Sequence, residues 1–258
     1  MKKRVWLLVV SCLLLVLAGC SAGKADKSAE PVELMVSAAA SLTDALTDMK
    51  TSFEKEHENI IVTFNFGSSG KLVQQIEQGA PSDVFLSASS KDMNTLDEGA
   101  LLVEGTRIDF TANELVLITN KDESLTVDSF EDIDPSTIAH FAIGEPESVP
   151  VGRYTKEVLE NIGLWESLQD KMVLGSDVRQ VLTHVEMGNA DLGVVYSSDA
   201  KISDKVKVLA SASAEWHGPI VYPGAVVSET KHPEEAKAFL AYLTGDEGKE
   251  VLKKYGFK

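Results

Sequence analysis

The chain has 258 residues, 40 acidic against 24 basic, for a formal charge of −16. That balance excludes nucleic-acid binding through a basic surface, and any bound anion must be held by local dipoles against the field of the whole protein. Of the two cysteines, Cys12 lies in an N-terminal apolar run and Cys20 just beyond it, which leaves the folded part no disulfide, thiol nucleophile or cysteine metal site.

Lys2, Lys3 and Arg4 precede an apolar stretch over 5–17, too short to span a bilayer comfortably. Leu17-Ala18-Gly19-Cys20 then resembles the lipobox of bacterial lipoproteins, cleaved before Cys20, whose thiol takes the lipid. Residues 1–19 read as a signal peptide, and residues 20–31, small and polar, as the lipidated cysteine and its tether. Loss of the signal peptide makes the mature chain more acidic still. About 230 residues remain, enough for two modest α/β lobes.

Strand-like runs at 34–36, 60–66, 84–87, 115–119, 141–143, 192–196, 206–209 and 225–227 alternate with helical patterns near 42–56, 70–78, 91–97, 152–162, 178–187 and 233–244. Such alternation predicts parallel sheets covered by helices on both faces. There is also an internal echo. Residues 72–87 run helix, Gly79, Asp83, strand; residues 181–196 run helix, Gly188, Asp191, strand. Each glycine reads as the left-handed residue that follows a helix. The echo fits either generic βα grammar or two lobes built alike and facing each other across a cleft.

Four helix starts bear on chemistry. The first is Ser37-Ala38-Ala39-Ala40-Ser41-Leu42, where Ser41 stands at an expected N-cap. The second is Gly67-Ser68-Ser69-Gly70-Lys71-Leu72. The third is Val149-Pro150-Val151-Gly152-Arg153-Tyr154, in which Pro150 suits a helix entrance and Gly152 lets a ligand approach the backbone. The fourth is Gly175-Ser176-Asp177-Val178-Arg179, with Asp177 as N-cap. A helix start leaves about four N–H groups without partners and carries the positive end of the helix dipole. An N-cap by itself serves only its own helix. Together these starts supply hydroxyls and N–H groups without dedicated carboxylates or a basic cluster, a set suited to a fully deprotonated oxyanion. Gly67-Ser68-Ser69-Gly70-Lys71 lacks phosphate-loop spacing because Leu72 occupies the hydroxyl position, which excludes nucleotide binding of that kind.

Over 34–257 the chain resembles the molybdate-binding proteins of bacterial ABC importers, a group of type II periplasmic-type solute-binding proteins. The resemblance rests on Ala38-Ala39-Ala40-Ser41-Leu42, Gly79-Ala80-Pro81-Ser82-Asp83-Val84-Phe85, Gly144-Glu145-Pro146, Val149-Pro150-Val151-Gly152-Arg153-Tyr154, Asp177-Val178-Arg179, Leu192-Gly193-Val194-Val195-Tyr196-Ser197-Ser198-Asp199-Ala200 and Tyr255-Gly256-Phe257. It implies an α/β fold of two lobes, each a mostly parallel sheet flanked by helices. Lobe one is expected at 32–114 plus 224–258 and lobe two at 115–223, with hinge crossovers near Asn113-Glu114 and Tyr222-Pro223. The implied function is a lipid-anchored extracytoplasmic receptor, not an enzyme, that captures molybdate or tungstate and delivers it to an ABC permease. It implies a monomer with no cofactor and no directly coordinated metal.

Five contacts follow from the resemblance. Ser41 and Ser69 each donate through hydroxyl and backbone N–H, Val151 and Val178 through backbone N–H, and Tyr196 through its phenol. Ser68 is a register alternative to Ser69, and Val151 stands where the family often has alanine. Arg153 and Lys71, close by in sequence, read as solvated helix positions. Sulfate or another tetrahedral oxyanion is the alternative ligand. A serine hydrolase would instead pair Ser41 or Ser69 with His57, His140, His184, His217 or His232, but no G-x-S-x-G elbow is present.

Overall fold

The computed structural model describes residues 31–258; the expected signal peptide, Cys20 and nearly all of the tether lie outside the described residues. Among the described residues no helix is long and apolar enough to cross a membrane.

The chain first lays down β1 (Val32–Ala39), a 3-10 turn (Ala40–Leu42), α1 (Thr43–Glu56), β2 (Ile60–Gly67), α2 (Ser69–Glu77), β3 (Val84–Leu86), α3 (Ser90–Glu98) and β4 (Ile108–Ala112). It then crosses to β5 (Leu115–Asn120), β6 (Phe141–Gly144), α4 (Pro150–Asn161), α5 (Trp165–Leu168), β7 (Met172–Gly175), α6 (Val178–Glu186), β8 (Leu192–Tyr196), α7 (Ser197–Lys201) and β9 (Val206–Ser211). It returns for β10 (Val221–Val226), α8 (Pro233–Thr244) and α9 (Asp246–Lys254).

Two five-stranded sheets result, ordered β2-β1-β3-β10-β4 and β7-β6-β8-β5-β9. They share one plan. In the first, β1 runs parallel to β2 and β3, while β10 is antiparallel to β3 and β4. In the second, β6 runs parallel to β7 and β8, while β5 is antiparallel to β8 and β9. Each sheet is therefore mixed, with one reversed strand. That strand is the one that has just entered from the other lobe. It arrives without a crossover helix to turn it, whereas strands made within a lobe are brought back parallel by their helices.

The two crossings lie side by side: the Asn113 N–H donates to the Ile220 carbonyl at 3.1 Å and the Ala212 N–H to the Leu115 carbonyl at 3.0 Å. Tyr222 and Pro223 already lie within β10, at a register shift against β4, so the return crossing is 212–220. Strand alternation places helices on both faces of the first sheet. Val84 and Leu86 of β3 join the main core, while Phe85 enters a second cluster with Leu72, Val73 and Ile76 of α2 and Met93 and Leu96 of α3. The C-terminus returns to the crossings, where the Phe257 ring packs edge-on against Tyr222 at 5.4 Å.

The internal echo is a structural repeat. After α2, the Gly79 N–H donates to the Ile76 carbonyl and the Ala80 N–H to the Gln75 carbonyl; after α6, the Gly188 N–H donates to Val185 and the Asn189 N–H to His184. Both are Schellman caps, with Gly79 at φ 82° and Gly188 at φ 69°. Asp83 then accepts the Met35 N–H, and Asp191 accepts the Ala139 and His140 N–H groups. Each carboxylate ties the entry of β3 or β8 to the neighbouring strand or its lead-in.

Candidate functional site

The parallel strands of both sheets end facing one another, and their C-terminal ends carry the site, as open α/β sheets generally arrange. β1 leads to Ser41, β2 to Ser69, β6 to Val151 and β7 to Val178, and β8 ends in Tyr196. Because β1 and β2 occupy the places in the first sheet that β6 and β7 occupy in the second, the first four residues form two equivalent pairs. All five line one small cavity, together with Ser68. No acidic, basic or histidine side chain lines it. Among the described residues no cluster of His, Cys, Asp and Glu is disposed to hold a metal ion.

The local geometry departs from the expected caps at two points. Ser41 is not an N-cap: it lies inside the 3-10 turn Ala40–Leu42, whose own cap position is Ala39, and α1 starts only at Thr43. The tighter turn brings the serine off the helix end and into the cavity wall. Gly152 does not admit a ligand. A Cβ there would come 2.0 Å from the Gly144 carbonyl oxygen, so the glycine lets α4 pack on the end of β6. Pro150 does open α4, and the Asp177 carboxylate accepts the Gln180 N–H at 3.0 Å as the cap of α6. Ser69, Val151 and Val178 lie in the first turns of their helices, where no preceding carbonyl exists for their N–H groups.

The hydroxyls differ in their partners. Ser69 Oγ accepts the Ala88 N–H at 3.0 Å, which occupies an oxygen lone pair and leaves its proton to donate. Ser41 Oγ lies 2.9 Å from the Tyr222 hydroxyl. Ser68 Oγ and the Tyr196 hydroxyl are buried without a hydrogen-bond partner, and Tyr196 is only 1 % exposed. Buried hydroxyls are ordinarily paired, so two orphans in one cavity mark a place prepared for a polar ligand. Burial raises the Tyr196 pKa well above the usual phenol value, with nearby Tyr222 adding to it, so the group stays a donor.

Charged groups surround the cavity without entering it, and they bridge the two lobes. Arg153 of α4 pairs with Asp92 of α3, and both are largely buried. Lys71 of α2 donates to the Ser176 carbonyl at 3.2 Å. Arg153 is therefore not the solvated helix residue expected, whereas Lys71 is exposed as expected and still reaches the other lobe. Arg179 of α6 contacts Asp44 of α1 at 2.6 Å and Asp199 of α7 at 2.8 Å, and donates to the Ser41 carbonyl at 3.4 Å. Asp199 is fully buried, and burial pushes its pKa up to about 7 against the opposing pull of Arg179. Gly70 completes the seam: its N–H donates to the Ser148 carbonyl at 3.1 Å, and a Cβ there would sit 2.6 Å from that oxygen. The sequence reading missed Asp44, Asp92, Asn113, Arg179, Asp199 and Tyr222. Asp177-Val178-Arg179 and Ser197-Ser198-Asp199 were noted as motifs, but a pairing between residues so far apart in sequence leaves no local trace.

Comparison with known proteins agrees with this architecture. Residues 34–258 match the family described as bacterial extracellular solute-binding protein. YvgL of Bacillus subtilis, named as a candidate ABC transporter substrate-binding lipoprotein, is 43% identical over 257 residues, 99% of this chain and 98% of that protein. The molybdate-binding protein ModA of Haemophilus influenzae is 38% identical over 239 residues, 92% of this chain and 94% of that one. The solved substrate-binding domain of a candidate molybdenum ABC transporter from Clostridium difficile is 43% identical with a TM-score of 0.69, covering 88% of this chain and 98% of that one. The chain belongs to the bacterial extracellular solute-binding proteins, which are receptors of transport systems rather than enzymes.

Proposed function

We propose that this protein captures molybdate or tungstate outside the cytoplasmic membrane and hands it to an ABC permease, held to the membrane by a lipid on Cys20. The observation that carries the ligand class is a buried cavity lined by hydroxyls and helix-start N–H groups, with no charged side chain in its wall. Ser41 and Ser69 would hold the anion on the first lobe. Movement about 113–114 and 212–220 would bring the donors of Val151, Val178 and Tyr196 onto it from the second. The name of the Haemophilus relative supports molybdate. The Leu17-Ala18-Gly19-Cys20 motif and the name of the Bacillus relative support the lipid anchor.

Sulfate, molybdate and tungstate are all proton-free tetrahedral dianions at neutral pH, so size separates them; Mo–O and W–O bonds are longer than S–O. Hydrogen phosphate carries a proton that needs an acceptor, and no carboxylate or imidazole lines this cavity. Titration calorimetry and thermal shift with molybdate, tungstate, sulfate and phosphate test the reading. Saturable binding of molybdate and tungstate in preference to the other two is the expected result. A ligand at a hundred times its Kd adds about 2.7 kcal/mol of stability. Tighter binding of sulfate would reassign the receptor, and binding of none of the four would remove the function.

A further inference from the structure

We infer that Tyr222, polarised by Asn113, is a positioning residue that commits the Ser41 hydroxyl to donating into the cavity, and so helps the site reject protonated oxyanions; this rests on the oxyanion reading above. Neither residue lines the cavity. Both sit beside the crossings, Asn113 in the outgoing one and Tyr222 in the strand that follows the return.

Backbone and amide donors fix the first bonds, and the acceptor left for the Tyr222 proton fixes the last. The Glu114 backbone N–H donates to Asn113 Oδ1 at 2.9 Å, which fixes the amide and turns Nδ2 the other way. Nδ2 donates to Ser198 Oγ at 2.9 Å and to the Tyr222 hydroxyl oxygen at 3.4 Å. Having accepted from Asn113, the Tyr222 hydroxyl has Ser41 Oγ, 2.9 Å away, as the acceptor for its own proton. A phenol is also the stronger donor of that pair. Ser41 Oγ then accepts from Tyr222 and has its proton free for the cavity. Burial holds the Tyr222 pKa well above the usual phenol value, reinforced by the Asp199 carboxylate, so the relay keeps its proton. Without Tyr222 the Ser41 oxygen loses its internal donor. Its hydroxyl could then rotate to accept a proton from the ligand as readily as it donates one.

Tyr222→Phe is the test, because the ring that packs against Tyr196 at 5.8 Å and Phe257 at 5.4 Å is retained. Calorimetry with molybdate, and competition by inorganic phosphate, are run on wild type, Tyr222→Phe, Ser41→Ala and the double variant. Each variant is first checked by an unliganded melt. Tyr222→Phe should weaken molybdate about threefold to tenfold and narrow the molybdate-to-phosphate affinity ratio by about tenfold or more. In the Ser41→Ala background the same substitution should change the ratio less than about twofold, because the group it orients is gone. An unchanged ratio in Tyr222→Phe overturns the relay, and so does an equal change in the Ser41→Ala background, which would signify a general packing defect. Failure of wild type to bind any oxyanion overturns the underlying reading instead, and the two failures are told apart by the wild-type titration alone.

Discussion

Replacing Tyr196 by phenylalanine should lower affinity without lowering the stability of the empty protein. The hydroxyl is buried and makes no hydrogen bond to the rest of the molecule, so the empty fold loses nothing when it is removed. Relief of an unpaired buried hydroxyl is worth about 1–3 kcal/mol where water does not reach it, and nothing where it does. The liganded form loses one hydrogen bond to a charged acceptor, about 1.5–3 kcal/mol, which weakens binding roughly tenfold to 150-fold. Consider molybdate at a hundred times the wild-type Kd, where wild type gains about 2.7 kcal/mol. A variant with thirtyfold weaker binding gains only about 0.9 kcal/mol there. Urea unfolding with and without molybdate, together with calorimetry, reads both quantities. Affinity within twofold of wild type would refute the placement of Tyr196 on the ligand. Loss of more than about 1 kcal/mol from the empty protein would refute the claim that its hydroxyl is structurally idle.

Ser41→Ala and Ser69→Ala should each weaken molybdate roughly tenfold to a hundredfold by calorimetry. Both should also destabilise the empty protein, by about 1–3 kcal/mol, because Ser69→Ala strands the buried Ala88 N–H and Ser41→Ala strands the buried Tyr222 hydroxyl. Asp92→Asn removes the charge partner of Arg153 across the cleft. Small-angle scattering of the unliganded variant should show a larger radius than wild type, with molybdate affinity lowered several-fold as the closed form is depopulated. Asp199 has a folded-state pKa of about 7, raised from the ordinary carboxylate value. The folded protein therefore binds more protons than the unfolded chain between about pH 4 and 7, so stability is greatest at the acid end of that window and falls as pH rises through it. Urea midpoints from pH 5 to 8 should fall less steeply in Asp199→Asn, and an identical slope would refute the assignment.

Much of the molecule was legible because its elements announce themselves locally. Leu72, Val73 and Ile76 mark the buried stripe of α2, and Gly79 and Gly188 mark Schellman caps that recur because both lobes use one plan. The elements missed have weak local signals. β7 is a four-residue edge strand, Met172–Gly175, that leaves Leu174 47 % exposed. α7 is one short turn after β8, and α9 is mostly charged, with Gly248 and Leu252 as its buried residues. The reversed strand in each sheet was hidden for another reason. Local pattern states that a segment is extended, while its direction depends on which lobe the chain has just left. The five cavity residues were reached through resemblance and helix-start chemistry. Their supporting charges and Asn113–Tyr222 were not, since such contacts join separate elements of the chain, the Asn113–Tyr222 and Arg179–Asp44 pairs more than a hundred residues apart.

The division of the site between lobes accounts for a neutral wall in so acidic a protein. A lysine in the cavity would attract the anion to one lobe whether or not the other had arrived, and would resist release when the lobes part. Neutral donors act at short range, and those on one lobe satisfy only part of a dianion's acceptors, so the remaining hydrogen bonds form only on closure. The cations that could have served as ligands are instead spent between lobes, as Arg153 on Asp92, Arg179 on Asp44 and Lys71 on Ser176. In the proposed receptor these contacts would stabilise the closed arrangement without touching the ligand, and the anion would have only to add its own share. Affinity would thereby be linked to closure through two separable sets of residues. Substitutions in the cavity should alter which anion is chosen, whereas substitutions in the seam should shift affinity for every anion by the same factor. Measuring the molybdate-to-sulfate ratio in Ser69→Ala and in Asp92→Asn separates the two sets: the ratio should move in the first and hold in the second.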